Sequence, residues 1–351
     1  MRSLVFDIET DDLKATKVWC IVAQDLDSNK IFRFAPHQLE SGLGLLQSAD
    51  RLVGHNIIGF DIPIIENLLG VDLSTKKLVD TLVLSRLLNP VREGGHSLEM
   101  WGYRLNYTKT EFDDYARYSP EMLKYCTRDV QLNTMVYYKL REEAKGFSKE
   151  SVELEQEVSL ILKEQEQNGF EFNRQKAEKL LSELYKRMNE VEEEVHETFR
   201  PKQIFEKITP QYIKDGSLSR LGSNETTSKK VRLTDEEYTL LKNGTPSFVR
   251  THEEEFNLGS RKQIGEYLQD FGWKPKKFTP TGQPIVNEKI LIKITAIPEA
   301  QLIAEYLLLQ KRIAQIESWI KAVEDDGRVH GFVIPNGTIT GRMAHRSPNM
   351  A

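Results

Sequence analysis

The chain has 351 residues, 48 Lys+Arg against 53 Asp+Glu, a formal net charge of −5, and 39% hydrophobic and 29% charged residues. A chain of this length suggests about two domains with cores of their own, and its composition excludes wholesale disorder. No run of 18 apolar residues is present, so no membrane span is expected. The start, MRSLVFDIET, is a polar-flanked strand rather than a secretory leader. Two cysteines, Cys20 and Cys126, make no disulfide framework and suit a reducing cytoplasm. Charge is uneven. Residues 1–150 carry 19 basic and 22 acidic groups and residues 151–255 carry 16 and 22, whereas residues 256–351 carry 13 and 9. A mild basic footprint, the electrostatic signature of nucleic-acid binding, is therefore confined to the last third.

In chain order, LVFDI (4–8), VWCIVA (18–23) and IFRF (31–34) are β-rich runs between polar turns, and RLVG (51–54) and KLVDTLVL (77–84) are expected to be later strands. DIPIIENLLG has helical spacing at Ile62, Ile65, Leu68 and Leu69. A longer helix is expected at about 120–144, with Ser119 as N-cap and Pro120 at its first position. Three strands followed by βα units predict a mixed sheet with helices packed on it. The pattern changes near residue 147. An amphipathic helix ends at Gly169, the extended FEFN follows, and a second long helix spans about 173–199. Residues 200–255 lose periodicity and read as an insertion or extended loop, with nearly balanced charge. Helical patterns return at 260–271 and 298–323.

Three signals carry chemistry. Asp7-Ile8-Glu9 ends an apolar strand, so alternation points both carboxylates to one face. Two such groups repel unless a cation sits between them, and hard oxygen donors suit Mg²⁺ or Mn²⁺. Taken alone, the pair could equally be a solvated strand end. The segment GHNIIGFD places Asn56 and Asp61 after a strand and at a helix start, where an acid alone would be a dipole partner. Tyr125 and Asp129, four apart, share one helical face. Together Asp7, Glu9, Asp61 and Asp129 supply what two divalent ions about 3.5–4 Å apart require, and Tyr125 can hold a water one turn away.

FDIET, HNIIGFD and YCTRD resemble the three motifs of the DEDD 3′–5′ exonucleases, in the variant with tyrosine four residues before the last aspartate. The resemblance implies a ribonuclease-H-like α/β fold and two Mg²⁺ ions, with Mn²⁺ as substitute. Asp7, Glu9 and Asp129 would hold the tighter ion and Asp61 the second, largely through water. Thr10, Leu13 and Asn56 would grip the 3′-terminal nucleotides, with Leu13 wedged between the last two bases.

DTLVLSRLL (80–88) and HSLEMWGYRL (96–105) narrow the resemblance to the exonuclease domain of T-seven-type phage DNA polymerases of family A. In these runs Leu82, Leu84, Leu87, Trp101 and Tyr103 are expected to be packing residues. FNLGSRKQIGEYLQDFGWKPKKFTPTGQP (256–284) is similar to the thumb segment that lies against duplex DNA, where Ser260, Arg261 and Lys262 would reach phosphates. TITGR followed by SPN is similar to the thumb–palm junction, where Arg342 would touch the primer–template minor groove. The implied organisation is an exonuclease domain over 1–147 and a mainly α thumb region over 148–351. The latter carries an insertion at 200–255, and palm and fingers are absent. The expected function is proofreading within DNA replication, releasing 5′-mononucleotides, without polymerisation by this chain alone. A second chain carrying palm and fingers would complete the enzyme if the gene is split, with Ile339, Met343 and Met350 facing it; otherwise the chain is a piece of a longer one. The insertion resembles the one that recruits a thioredoxin-like processivity factor, and a partnerless surface loop is the alternative. A stand-alone DEDD exoribonuclease explains residues 1–150 equally well but not the thumb-like segments.

Overall fold

A computed structural model describes residues 1–349. By packing, the chain divides into two units: Met1–Phe172 together with the chain from Lys321 onward, and Asn173–Ile320. The first unit thus runs past the expected boundary at 147 and takes in the helix that follows it.

In the first unit, β1 (Ser3–Thr10), β2 (Val18–Asp25), β3 (Ile31–Phe34), β4 (Arg51–Gly54) and β5 (Lys77–Asp80) form one sheet in the order β3-β2-β1-β4-β5. β2 is antiparallel to β1 and to β3, and β4 is parallel to β1 and to β5. This is the mixed, ribonuclease-H-like sheet. Alternation along the central strand β1 sorts its side chains. Leu4, Phe6 and Ile8 enter a core with α1 (Leu39–Gln47) and α2 (Asp61–Leu69), through Leu46, Ile62 and Ile65. Val5 enters the opposite core, built with Cys20, Val22, Met122, Cys126 and Val130. Asp7 and Glu9 have the parity of Val5.

KLVDTLVL is a strand only to Asp80. Thr81–Leu88 is a helix, α3, because the Asp80 carboxylate accepts from the Leu82 and Val83 N–H groups and caps it. Short-range β-propensity lost here to a cap. α4 (Leu98–Arg104) buries Trp101, whose Nε1 donates to Ser85 Oγ at 3.1 Å. Tyr103 does not pack as expected: it is 57% exposed, on the far side of this short helix. Leu84 is buried, whereas Leu82 and Leu87 are only half-buried. α5 (Pro120–Glu143) begins at the predicted cap, with Ser119 Oγ accepting from the Met122 N–H. α6 (Lys149–Asn168) ends at Gly169, whose φ of +62° only glycine adopts without cost; a Cβ there would also meet the His330 ring at 2.8 Å. β6 (Phe170–Glu171) follows.

The second unit opens with α7 (Arg174–Thr198). Residues 200–255 then correct the expectation of a loop. β7 (Lys202–Thr209), β8 (Leu221–Asn224), β9 (Lys230–Arg232) and β10 (Phe248–Glu254) form a four-stranded antiparallel sheet, order β10-β7-β8-β9, with α8 (Asp235–Lys242) beside it. Only Ile208, Leu233 and Leu241 form its buried core. So small an apolar content leaves little periodic signal, and the sheet rests mainly on its ladder hydrogen bonds. α9 (Arg261–Asp270), α10 (Glu288–Leu291) and α11 (Pro298–Lys321) pack with α7 around Val195, Phe199, Phe256, Leu268, Ile303 and Leu307. On return to the first unit, β11 (Arg328–Val329) pairs with β6, and β12 (Phe332–Ile334) with β13 (Ala344–Arg346). No described helix is long and apolar enough to cross a membrane.

Candidate active site

The carboxylates sit where the central strand meets α2 and α5. Asp7 and Glu9 lie opposite Val22 and Cys20 of β2, beyond the stretch Ser3–Val5 where the strand is also paired with β4. Asp61, the first residue of α2, is brought in by a long-range bond: its Oδ1 accepts from the Ile8 N–H at 3.1 Å. Asp129 comes from the middle of α5, which packs on β1 and β2. Glu9, Asp61 and Asp129 are 7%, 3% and 4% exposed.

Their electrostatics carry the mark of crowding. Burial, then Asp61, Glu9 and Asp129, push the Asp7 carboxyl well above the usual range. Burial followed by Asp129 raises Glu9 to about 8, and burial raises Asp61 to about 7 against its hydrogen bond from Ile8. Asp129 is raised by burial as well. Its Oδ1 is buried with no hydrogen-bond partner among the described residues. Hard oxygen donors that repel one another, one of them orphaned, fit a divalent cation such as Mg²⁺ or Mn²⁺. Ligand atoms of Asp7, Glu9 and Cys126 all lie within 4.8 Å of one another. Cys126 Sγ lies 3.6 Å from both the Asp7 carbonyl and its Oδ2. Both cysteines are free and buried.

Tyr125 is half-buried. Its ring stacks on Phe112, and its hydroxyl faces Tyr115 and Asp129. Burial and then the Asp129 charge raise its pKa, so the phenol stays protonated and able to donate. Thr10 Oγ1 donates to the Asp12 carbonyl at 2.9 Å, and Leu13 follows in an exposed loop, itself 87% exposed. Asn56 adopts φ +67°, with its N–H held by Asp80 Oδ1 at 2.9 Å.

Sequence reasoning missed three residues around this centre. Lys109 Nζ lies 2.5 Å from Asp129 Oδ2 and 4.7 Å over the Tyr125 ring. It comes from an irregular segment with no spacing signal. Asp80 accepts from the N–H groups of Asn56, Ile58, Leu82 and Val83, tying the HNIIGFD loop to α3. An Asp before a helical run is a cap signal that could have revealed it. His55 Nδ1 pairs with Thr81 Oγ1 at 2.9 Å, and burial, helped by the Lys109 and Arg86 charges, lowers it to about 3.

The remaining predicted residues belong to other segments of the chain. Ser260 Oγ caps α9 by accepting from the Gln263 N–H at 3.3 Å; Arg261 and Lys262 are exposed, and Lys262 lies 3.7 Å from Glu266. Near them in sequence, exposed Lys274, Lys276, Lys277, Lys289 and Lys293 line an open groove of about 920 Å³ with Trp273 at its wall. The groove escaped notice because its lysines are spread over 20 residues. Arg342 is exposed and belongs to the first unit, not to the second with Arg261 and Lys262. Ile339 and Met343 are 73% and 50% exposed; Met350 lies outside the described residues.

Residues 226–351 match the family DNA polymerase family A. A DNA-directed DNA polymerase of Enterobacteria phage T3 is 30% identical over 99% of this chain. This chain is thus similar to family A DNA polymerases. The corresponding enzyme of Escherichia phage T7 is also 30% identical over 99% of the chain, which spans 62% of the length of each of these two relatives. A solved structure, the POL domain of Pol1 from M. smegmatis in complex with DNA primer-template and dNTP, shares the fold. Its TM-score is 0.68 at 15% identity, over 99% of this chain and 51% of that one.

Proposed function

We propose that the first unit is a 3′–5′ exonuclease, hydrolysing the 3′-terminal phosphodiester of DNA to release 5′-mononucleotides, and that it proofreads within a family A DNA polymerase. The observation that carries this is that Glu9, Asp61 and Asp129, from a strand and two helices, come near enough to Asp7 for their charges to raise its carboxyl, with Asp129 Oδ1 left without a partner. In this reading Asp7, Glu9 and Asp129 hold one divalent ion and Asp61 helps to hold a second. A bound pair supplies an activated water and stabilises the leaving oxygen. The protonated Tyr125 hydroxyl orients that water, and Phe112 keeps the ring in place. Asn56, fixed by Asp80, and Thr10 contact the terminal nucleotides. Leu13, an apolar side chain held in the open, parts the last two bases.

Primer–template DNA is the proposed ligand of the second unit. Lys262, Arg261, Ser260 and the lysines of the groove offer phosphate contacts, and Arg342 of the first unit would touch the minor groove. The sheet at 200–255 is the proposed seat of a thioredoxin-like processivity factor, and a chain or segment bearing palm and fingers would supply polymerisation.

The test is digestion of 5′-labelled single-stranded DNA. Shortening from the 3′ end with Mg²⁺ or Mn²⁺, abolished by EDTA, is the expected result. Full activity in excess EDTA overturns the reading. A matched RNA strand degraded in preference to DNA would instead favour the exoribonuclease alternative.

A further inference from the structure

The carboxylate cluster already contains one cation. Lys109 Nζ sits 2.5 Å from Asp129 Oδ2, with the Tyr125 ring 4.7 Å away on its other side. Its side chain is 22% exposed and that of Asp129 is 6% exposed, so the pair is shielded but not sealed. The segment that carries Lys109 is tethered to the helix it serves: the Thr108 carbonyl accepts from Arg128 Nε at 3.1 Å, and the Tyr107 hydroxyl donates to Gln131 Oε1 at 2.9 Å. The lysine is thus anchored on either side of Asp129. It also borders an open cleft of about 720 Å³ whose wall includes Glu99, Glu111 and Asp113. An ammonium leaving Asp129 has acidic neighbours to move towards.

A lysine and a divalent ion cannot share that carboxylate without cost, since like charges a few ångströms apart repel strongly in a shielded site. We propose that Lys109 is a resident counter-cation that holds Asp129 until a divalent ion takes it. Lys109 is then a positioning residue that sets how tightly the site binds metal. It keeps the cluster from flying apart when empty and lowers its affinity when filling. This inference rests on the metal-dependent reading given above.

The test uses the full chain and Mn²⁺ alone, without DNA, with binding read by titration calorimetry and stability by thermal melting. Lys109→Met should bind Mn²⁺ about tenfold more tightly or better, because a competing charge is gone. It should also melt below the wild type in EDTA and regain most of the difference in saturating Mn²⁺. Lys109→Arg keeps the charge and should behave as the wild type in both. Unchanged or weaker Mn²⁺ binding by Lys109→Met, or an undiminished melting temperature in EDTA, overturns the proposal. Should Lys109→Met not fold, the wild type decides. Brief acylation by an amine-reactive reagent, read by peptide mass spectrometry, should label Lys109 more in Mn²⁺ than in EDTA; equal or lower labelling overturns the proposal. A wild type that binds no Mn²⁺ at all removes the metal-dependent reading itself, and this inference with it. Tight wild-type binding with an indifferent Lys109 removes only the inference.

Discussion

The two units treat charge in opposite ways. In the first, Glu9, Asp61 and Asp129 are nearly buried; burial raises all three, and the neighbouring carboxylates add to the rise at Asp7 and Glu9. In the second, the five groove lysines are exposed, and among the described residues none is paired with a carboxylate; the ion pairs near them use Lys262 and Lys311 instead. Crowded, shielded charges act as a unit, so removing one member changes everything the site does. Exposed, separate charges act one at a time through water and salt, and each contributes little. The first arrangement fits the proposed bond breaking at a fixed point, and the second the proposed holding of a polyanion in many registers.

The hardest blow to this contrast is struck at the strand. Asp7→Ala with Glu9→Ala should reduce nuclease activity by several orders of magnitude, while duplex binding by the groove stays unchanged. In EDTA the double variant should melt no lower than the wild type, because repulsion has been relieved; a clear fall in a melting scan would count against crowding. Next comes Tyr125→Phe. It keeps the stacking on Phe112 and removes only the hydroxyl, so the single-turnover rate should drop by about 10²-fold or less. An unaltered rate takes Tyr125 out of the mechanism.

Stability should also depend on pH in a direction set by the first unit. Glu9 titrates at about 8 and Asp61 at about 7 in the folded chain, against ordinary values of 4.5 and 3.8. Between the two limits the folded state binds more protons than the unfolded one, so stability falls as pH rises. Metal-free protein should therefore melt at progressively lower temperature from about pH 4.5 to pH 8. Saturating Mn²⁺ should flatten the curve, and so should Asp7→Ala with Glu9→Ala. A metal-free curve that rises over this window would contradict the crowding. The smallest effect belongs to the groove side. Lys262→Ala should weaken primer–template binding modestly and reduce the slope of log affinity against log salt by about one. Lys276→Ala should do the same, and the losses should add.

A good part of this molecule follows from local rules. Two-residue alternation put Asp7 and Glu9 on one face, and they share the parity of Val5 on β1. Helical spacing joined Tyr125 to Asp129, and Ser119-Pro120 marked the start of α5 within a residue. These are short-range effects of backbone period and capping, so the chain order alone carries them. Other features depend on what lies next to what after folding. Asp80 looked like part of a strand until its carboxylate met four N–H groups from two segments. The insertion at 200–255 looked like loop because three core residues leave almost no periodic trace. Lys109 had no signal at all, since its meaning comes from an Asp129 twenty residues away that only the packing of α5 brings to it. Sequence determined which acids could act together; tertiary structure decided that Lys109 sits against one of them. Side-chain period is a property of the local backbone, whereas charge compensation in a shielded site is a property of the whole fold.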